Sequence, residues 1–229
     1  MGFAVTYGFA EQVYQFLAAP LADIYAGQES RRMIYTGLAE GFITYLKLAM
    51  FSGFILAFPV IAAQLYFFVA PGLYKRERRV MLPFLLFSPL LFLCGAALAY
   101  YGVFPLAWKF FTGFEMRGAD GLPIILEARI SEYLSLVMRM IIAFGLAFQL
   151  PILLMLLVRG GFVTSGSLRK GRKYALVVIF IAAAILTPPD VVSQVCLAVP
   201  LLVLYEASVW ACRSVEREKM AKELAENDA

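Results

Sequence analysis

From Gly41 to Phe68 the chain runs through apolar residues with a single charged side chain, Lys47, near the start of the run. An apolar stretch of about 20 residues is long enough to cross the hydrocarbon core of a bilayer as a helix, and a lysine close to one end can extend its ammonium to the nearer interface. Further apolar runs follow over 80–103, 133–158, 174–186 and 191–212. Such a chain has too little polar surface to fold in water: 62% of its residues are hydrophobic and 16% are charged, where a soluble domain carries about 25% charged residues. In lipid the backbone of each crossing segment has to satisfy its own hydrogen bonds, so the runs are helices. The expectation is an all-α polytopic membrane protein forming one domain over 1–229, with an outer stretch at 8–40 and a charged tail at 213–229.

The fourth run is short. Tyr174 to Leu186 reaches roughly 20 Å as a helix, less than a hydrocarbon core of about 30 Å, and Thr187, Pro188, Pro189 and Asp190 stop it abruptly. The fifth run holds Gln194, Pro200 and Glu206. With its proline it forms a broken hairpin with the fourth, which has to thin the bilayer or pack against neighbours. Residues 9–25, FAEQVYQFLAAPLADIY, read as an amphipathic outer helix interrupted by Pro20. The tail RSVEREKMAKELAENDA reads as a frayed, solvated helix.

Several chemistries are excluded by what the chain lacks. It has no histidine, which removes histidine-based acid–base catalysis and the commonest metal ligand. Cys94, Cys196 and Cys212 lie far apart in apolar surroundings without CxxC spacing and read as small buried hydrophobes. No Walker loop, GxGxxG in a strand–helix context, HExxH or GxSxG occurs. No catalytic residue, cofactor or metal site is therefore expected.

Lysine and arginine set the orientation. YKRERR (74–79) holds four of them, 159–173 holds five and the tail four, whereas the opposite side has Arg31, Arg32, Lys109, Arg117 and Arg129. By the positive-inside rule the first group faces the cytoplasm and the stretches 8–40 and 104–132 face outward. The net charge of +4 is thus accounted for by topology, without a nucleic-acid partner.

A few polar residues stand out. Glu77, among Lys75, Arg76, Arg78 and Arg79, is open to two readings: a local partner that relieves repulsion in a basic loop, or a carboxylate that receives a guanidinium ligand through its paired donors. Gln149, two residues before Pro151, either bonds to another helix or to backbone freed by the proline, or marks an internal site. Thr187, Asp190 and Gln194 either cap the ends of the hairpin or offer hydrogen bonds to a partner helix at membrane depth. Arg139 is expected to snorkel or to pair with Glu132 or Asp190, and Glu206 to be solvated. A small-molecule or ion transporter is the competing class, although neither several ionisable groups within the spans nor an internal repeat supports it. A structural scaffold is a third reading.

At these residues the chain resembles the TatC family, the polytopic subunit of the twin-arginine translocase. The strings FFVAPGLYKRERR, FPLAWKFF, FQLP and above all LTPPDVVSQ carry the resemblance, in that order along nearly the whole sequence. It implies a six-helix fold in the bacterial inner membrane with both termini cytoplasmic and short fifth and sixth helices. It also implies recognition of twin-arginine signal peptides of folded cargo at Phe68, Leu73, Tyr74, Glu77 and Arg79, with Glu77 accepting the signal arginines. Partner single-span subunits of the TatA and TatB type would meet Gln149, Thr187, Pro189, Asp190 and Gln194, within a larger self-associating complex driven by the proton-motive force. Two departures accompany the resemblance. Gln149 stands where many members have glutamate. A pattern like HLxELRxR and most of a first span are missing, so that 1–7 reads as a remnant of that span and the chain as shortened at its start.

Overall fold

The computed structural model describes residues 6–25, 33–69, 87–113, 127–186 and 191–227. All regular structure there is helical apart from one isolated parallel bridge, Ile34 to Arg129. Helix α1 covers Ala10–Tyr25 and α2 covers Glu40–Val69. Helix α3 is described from residue 87, passes through a π-helical segment, Leu98–Val103, and continues as Phe104–Thr112. Then come α4 (Ile130–Ala147), α5 (Leu150–Arg159), the short α6 (Ser165–Lys170), α7 (Arg172–Leu186) and α8 (Val191–Asn227). Among the described residues four segments are long and apolar enough to cross a membrane: Glu40–Leu65, Phe87–Phe110, Ile130–Val158 and Gln194–Ser214. Leu56, Val60, Leu93, Val178, Ile185 and Val203 are exposed on the protein, an arrangement that lipid tolerates and water does not.

The chain divides into two compact units, Met1–Phe58 with Ala97–Ile142, and Pro59–Ala96 with Ala143–Ala229. In the first unit Leu17, Leu21, Leu48, Phe104, Leu134 and Val137 form the core. Tyr133 sets its ring edge-on to Phe104 and Trp108, with centroids 5.4 and 5.6 Å away, within the range where aromatic pairs attract beyond their buried area. In the second unit α5, α6 and α7 all pack on α8, around Phe92, Phe144, Ala183, Leu197, Val209 and Cys212.

Four expectations about element boundaries are corrected. Helix α1 is continuous through Pro20. A proline lacks the N–H that would bond the carbonyl four residues earlier, here that of Phe16, and the Tyr100 hydroxyl donates to that oxygen instead while its ring stacks on Phe16 at 4.6 Å. Helix α8 likewise runs through Pro200 and on into the charged tail as one helix of 37 residues; its apolar part is a span of ordinary length, Gln194–Ser214. The second clean run does not stop at Val103, because the π-helical segment leads directly into Phe104–Thr112. The third run breaks into α4 and α5 at Phe148 and Gln149, where Pro151 occupies the first turn of α5 and needs no intrahelical donor.

Candidate functional site

Of the ten residues singled out in the sequence, Leu73, Tyr74, Glu77 and Arg79 lie in 70–86, and Thr187, Pro189 and Asp190 lie in 187–190, outside the described residues. Phe68 belongs to the last turn of α2. Gln149 and Gln194 are described with their side chains, and each is engaged at a helix pair.

Gln149 is bonded across to another helix. Its Nε2 donates to the Ser88 carbonyl at 2.8 Å, and its Oε1 accepts from the Ser88 hydroxyl at 2.8 Å. A primary amide has both donor and acceptor, and Ser88 presents the matching pair. The two helices come close because of glycine. A Cβ added at Gly95 would lie 2.5 Å from the Phe144 carbonyl oxygen, and one added at Gly145 would lie 2.5 Å from the Phe92 ring. Small residues at such crossings let backbones approach, and polar side chains then bond between them.

Gln194 stands at the start of the apolar part of α8, and its Nε2 donates to the Phe180 carbonyl on α7 at 3.0 Å. This bond ties the short helix to the long one. At the far end of the same pair, Arg172 at the start of α7 meets Glu206 of α8 at 2.6 Å, so Glu206 is paired as well as exposed. Tyr205 donates to the Leu168 carbonyl at 2.8 Å, and Glu216 accepts from the Ser165 N–H at 3.2 Å. The 159–173 connection, expected as a plain basic loop, therefore contains a helix, α6. Its start is capped by Thr164, whose hydroxyl oxygen accepts from the Ser167 N–H at 3.1 Å.

The stretches 33–40 and 127–132 hold a cluster that sequence reasoning did not bring together. Glu40 accepts from the Thr36 N–H at 2.9 Å, the Gly37 N–H at 3.1 Å, Arg129 at 3.1 Å and the Ser131 hydroxyl. Arg129 also meets Glu132 at 3.0 Å, and Arg139 is exposed, while Asp190, its other expected partner, lies outside the described residues. The bond to Glu40, reinforced by the charges of Glu40 and Glu132, raises the Arg129 pKa above its ordinary value. Backbone bonds from Ile34 N–H to Ala128 and from Ile130 N–H to Ile34 fix these two segments side by side. The available signal was Glu40 at a helix start four residues after Thr36, a pattern for N-terminal capping; its long-range partners, 89 and 91 positions away, left no local trace.

The comparisons with known proteins agree with this architecture. The family model described as TatC, Sec-independent protein translocase protein, matches residues 1–200. The chain is 48% identical over 226 residues to the Sec-independent protein translocase protein TatC of Magnetococcus marinus, covering 99% of this chain and 81% of that protein. It is 50% identical over 214 residues to the protein of that name from Rickettsia prowazekii, covering 93% and 84%. A crystal structure of a protein described as the twin arginine translocase receptor TatC superposes with a TM-score of 0.80 at 37% identity, covering 93% of this chain and 91% of that one. The all-helical, multi-pass architecture and these matches together place the molecule: the chain belongs to the TatC family, the Sec-independent protein translocase proteins.

Proposed function

We propose that this translocase component is the signal-receiving core of the complex, binding twin-arginine signal peptides of folded cargo at one face of the membrane. The observation that carries the reading is the match, over 93% of the chain, to a solved protein described as a twin arginine translocase receptor. The sequence supplies a chemically suitable acceptor. Glu77 is the one acid in YKRERR, and a carboxylate can take two parallel N–H bonds from each planar guanidinium. Phe68, Leu73 and Tyr74 would offer apolar and aromatic surface beside it, and Arg79 would help orient the carboxylate.

Thr187, Pro189, Asp190 and Gln194 are the proposed meeting place for single-span TatA- and TatB-type subunits. Gln194 spends one amide N–H on Phe180 and keeps the other N–H and its carbonyl to offer, since an amide has two donors and an acceptor. Gln149, which the resemblance places in the same set, has its amide bonded twice to Ser88. The setting is the inner membrane, with 70–79, 159–173 and the C-terminus cytoplasmic and the proton-motive force as the driving energy. One experiment in membranes holding the assembled complex tests both steps. Crosslinking of a twin-arginine peptide is expected to fall at least tenfold in Glu77→Ala and Glu77→Gln, about the loss of a charge-assisted pair, and Gln194→Cys is expected to crosslink to the TatB helix. Unchanged peptide crosslinking sinks the first assignment, and no TatB adduct from position 194 sinks the second.

A further inference from the structure

A cleft of about 390 Å³ lies between α6 and the C-terminal part of α8, lined by Ser165, Gly166, Arg169, Arg213, Glu216 and Arg217. Its size falls within the range of small-ligand pockets. Its lining is basic, with three guanidinium groups against one carboxylate. That carboxylate is engaged, since Glu216 accepts the Ser165 N–H at 3.2 Å and so pins α6 to α8. Neighbouring Arg172 is neutralised by Glu206 at 2.6 Å, whereas Arg169, Arg213 and Arg217 form no ion pair among the described residues.

The depth of the cleft is fixed by sequence. The apolar part of α8 ends at Ser214, between Arg213 and Arg217, and the preceding span ends at Val158, shortly before α6. Trp210, one turn before Arg213, is exposed, as are Phe162 and Tyr174 on either side of α6. Tryptophan and tyrosine collect where hydrocarbon gives way to headgroups. The cleft therefore opens at headgroup level, with apolar surface on one side and cationic forks within it.

We propose that this cleft binds the phosphate of an anionic phospholipid headgroup. Arg169, Arg213 and Arg217 would give paired N–H bonds to the phosphate oxygens, the Ser165 hydroxyl would reach the headgroup, and the acyl chains would lie beside Trp210. The cleft shares no lining residue with the signal-peptide and partner-subunit sets and does not depend on their assignment.

The test uses the full chain in a nonionic detergent carrying equal amounts of phosphatidylglycerol and phosphatidylcholine, with the retained lipids counted by native mass spectrometry. The wild type is expected to prefer phosphatidylglycerol. Each of Arg169→Gln, Arg213→Gln and Arg217→Gln is expected to lower that preference about tenfold or more, the loss of one charge-assisted hydrogen-bonded partner. Lys170→Gln with Lys173→Gln, outside the cleft, is expected to keep it. Unchanged preference in all three single variants overturns the proposal, as does an equal loss in the lysine variant, which would mean diffuse attraction by the loop. Displacement of phosphatidylglycerol by an excess of inorganic phosphate would identify a soluble phosphate as the occupant and also overturn it. The single variants alter exposed or half-exposed side chains, and unchanged helical circular dichroism verifies that each is folded.

Discussion

Gln149 and Ser88 meet as a matched pair, and the match defines what each side chain is worth. Removing the amide in Gln149→Leu abandons both the Ser88 carbonyl and its hydroxyl. Removing the hydroxyl in Ser88→Ala leaves the bond from Gln149 Nε2 to the backbone in place. Interhelical hydrogen bonds in membranes contribute on average about 0.6 kcal/mol and at most about 1.7 kcal/mol. Gln149→Leu is thus expected to cost about 1–2 kcal/mol and Ser88→Ala about half of that, read as midpoint shifts of roughly 2–8 °C and 1–4 °C in thermal unfolding of the detergent-solubilised protein. A larger loss for Ser88→Ala than for Gln149→Leu would contradict the pairing. Gln149→Glu puts two acceptors where an acceptor and a donor are needed, so a carboxylate there loses the bond to the Ser88 carbonyl and only the protonated acid restores it. The sequence made Gln149 conspicuous as a polar group in an apolar run, but Ser88, 61 positions away, carried no mark of its role.

Two glycines govern the approach of the helices that carry this pair. A methyl at position 95 would meet the backbone oxygen of Phe144 at 2.5 Å, whereas one at 145 would meet the ring of Phe92 at the same distance. A backbone oxygen moves only if a helix moves, while a ring has some freedom to rotate. Gly95→Ala is accordingly expected to cost more than Gly145→Ala, within the roughly 1–3 kcal/mol usual for overpacking, and to weaken the Gln149–Ser88 bonds by parting the helices. Thermal midpoints of the two variants check the order, and the reverse order would place the tight contact at Phe92. Hydropathy made the long elements legible, since a helix apolar on all sides reads directly as a span. The prolines were misread as breaks, because whether a helix continues past Pro20 depends on what receives the freed carbonyl, and Tyr100 does so from 84 positions away. Helix α6 was hidden by its glycines and serines, and its place is set by contacts to Tyr205 and Glu216 rather than by its own propensity.

At the scale of the whole molecule, the short α7 decides how the chain is threaded. Its 15 residues rise about 22 Å, which leaves open from length alone whether it crosses the membrane or lies within one leaflet. The bonds along the α7–α8 pair favour a crossing. Arg172 meets Glu206 well inside the apolar part of α8, Ser165 meets Glu216 just beyond its end, and Phe180 meets Gln194 at its start. The 159–173 connection and the tail are therefore expected on one side, with α7 returning the chain across the bilayer. Both segments are rich in lysine and arginine, so the charge rule also expects them together, on the cytoplasmic side. Fusions made after Gly161 and after Ala229 are expected to behave alike, giving fluorescent green fluorescent protein and inactive alkaline phosphatase, whereas a fusion after Gly113 is expected to give active phosphatase. Active phosphatase at only one of the first two positions would mean that α7 and α8 do not cross as a pair, and active phosphatase at both would invert the orientation while preserving the hairpin.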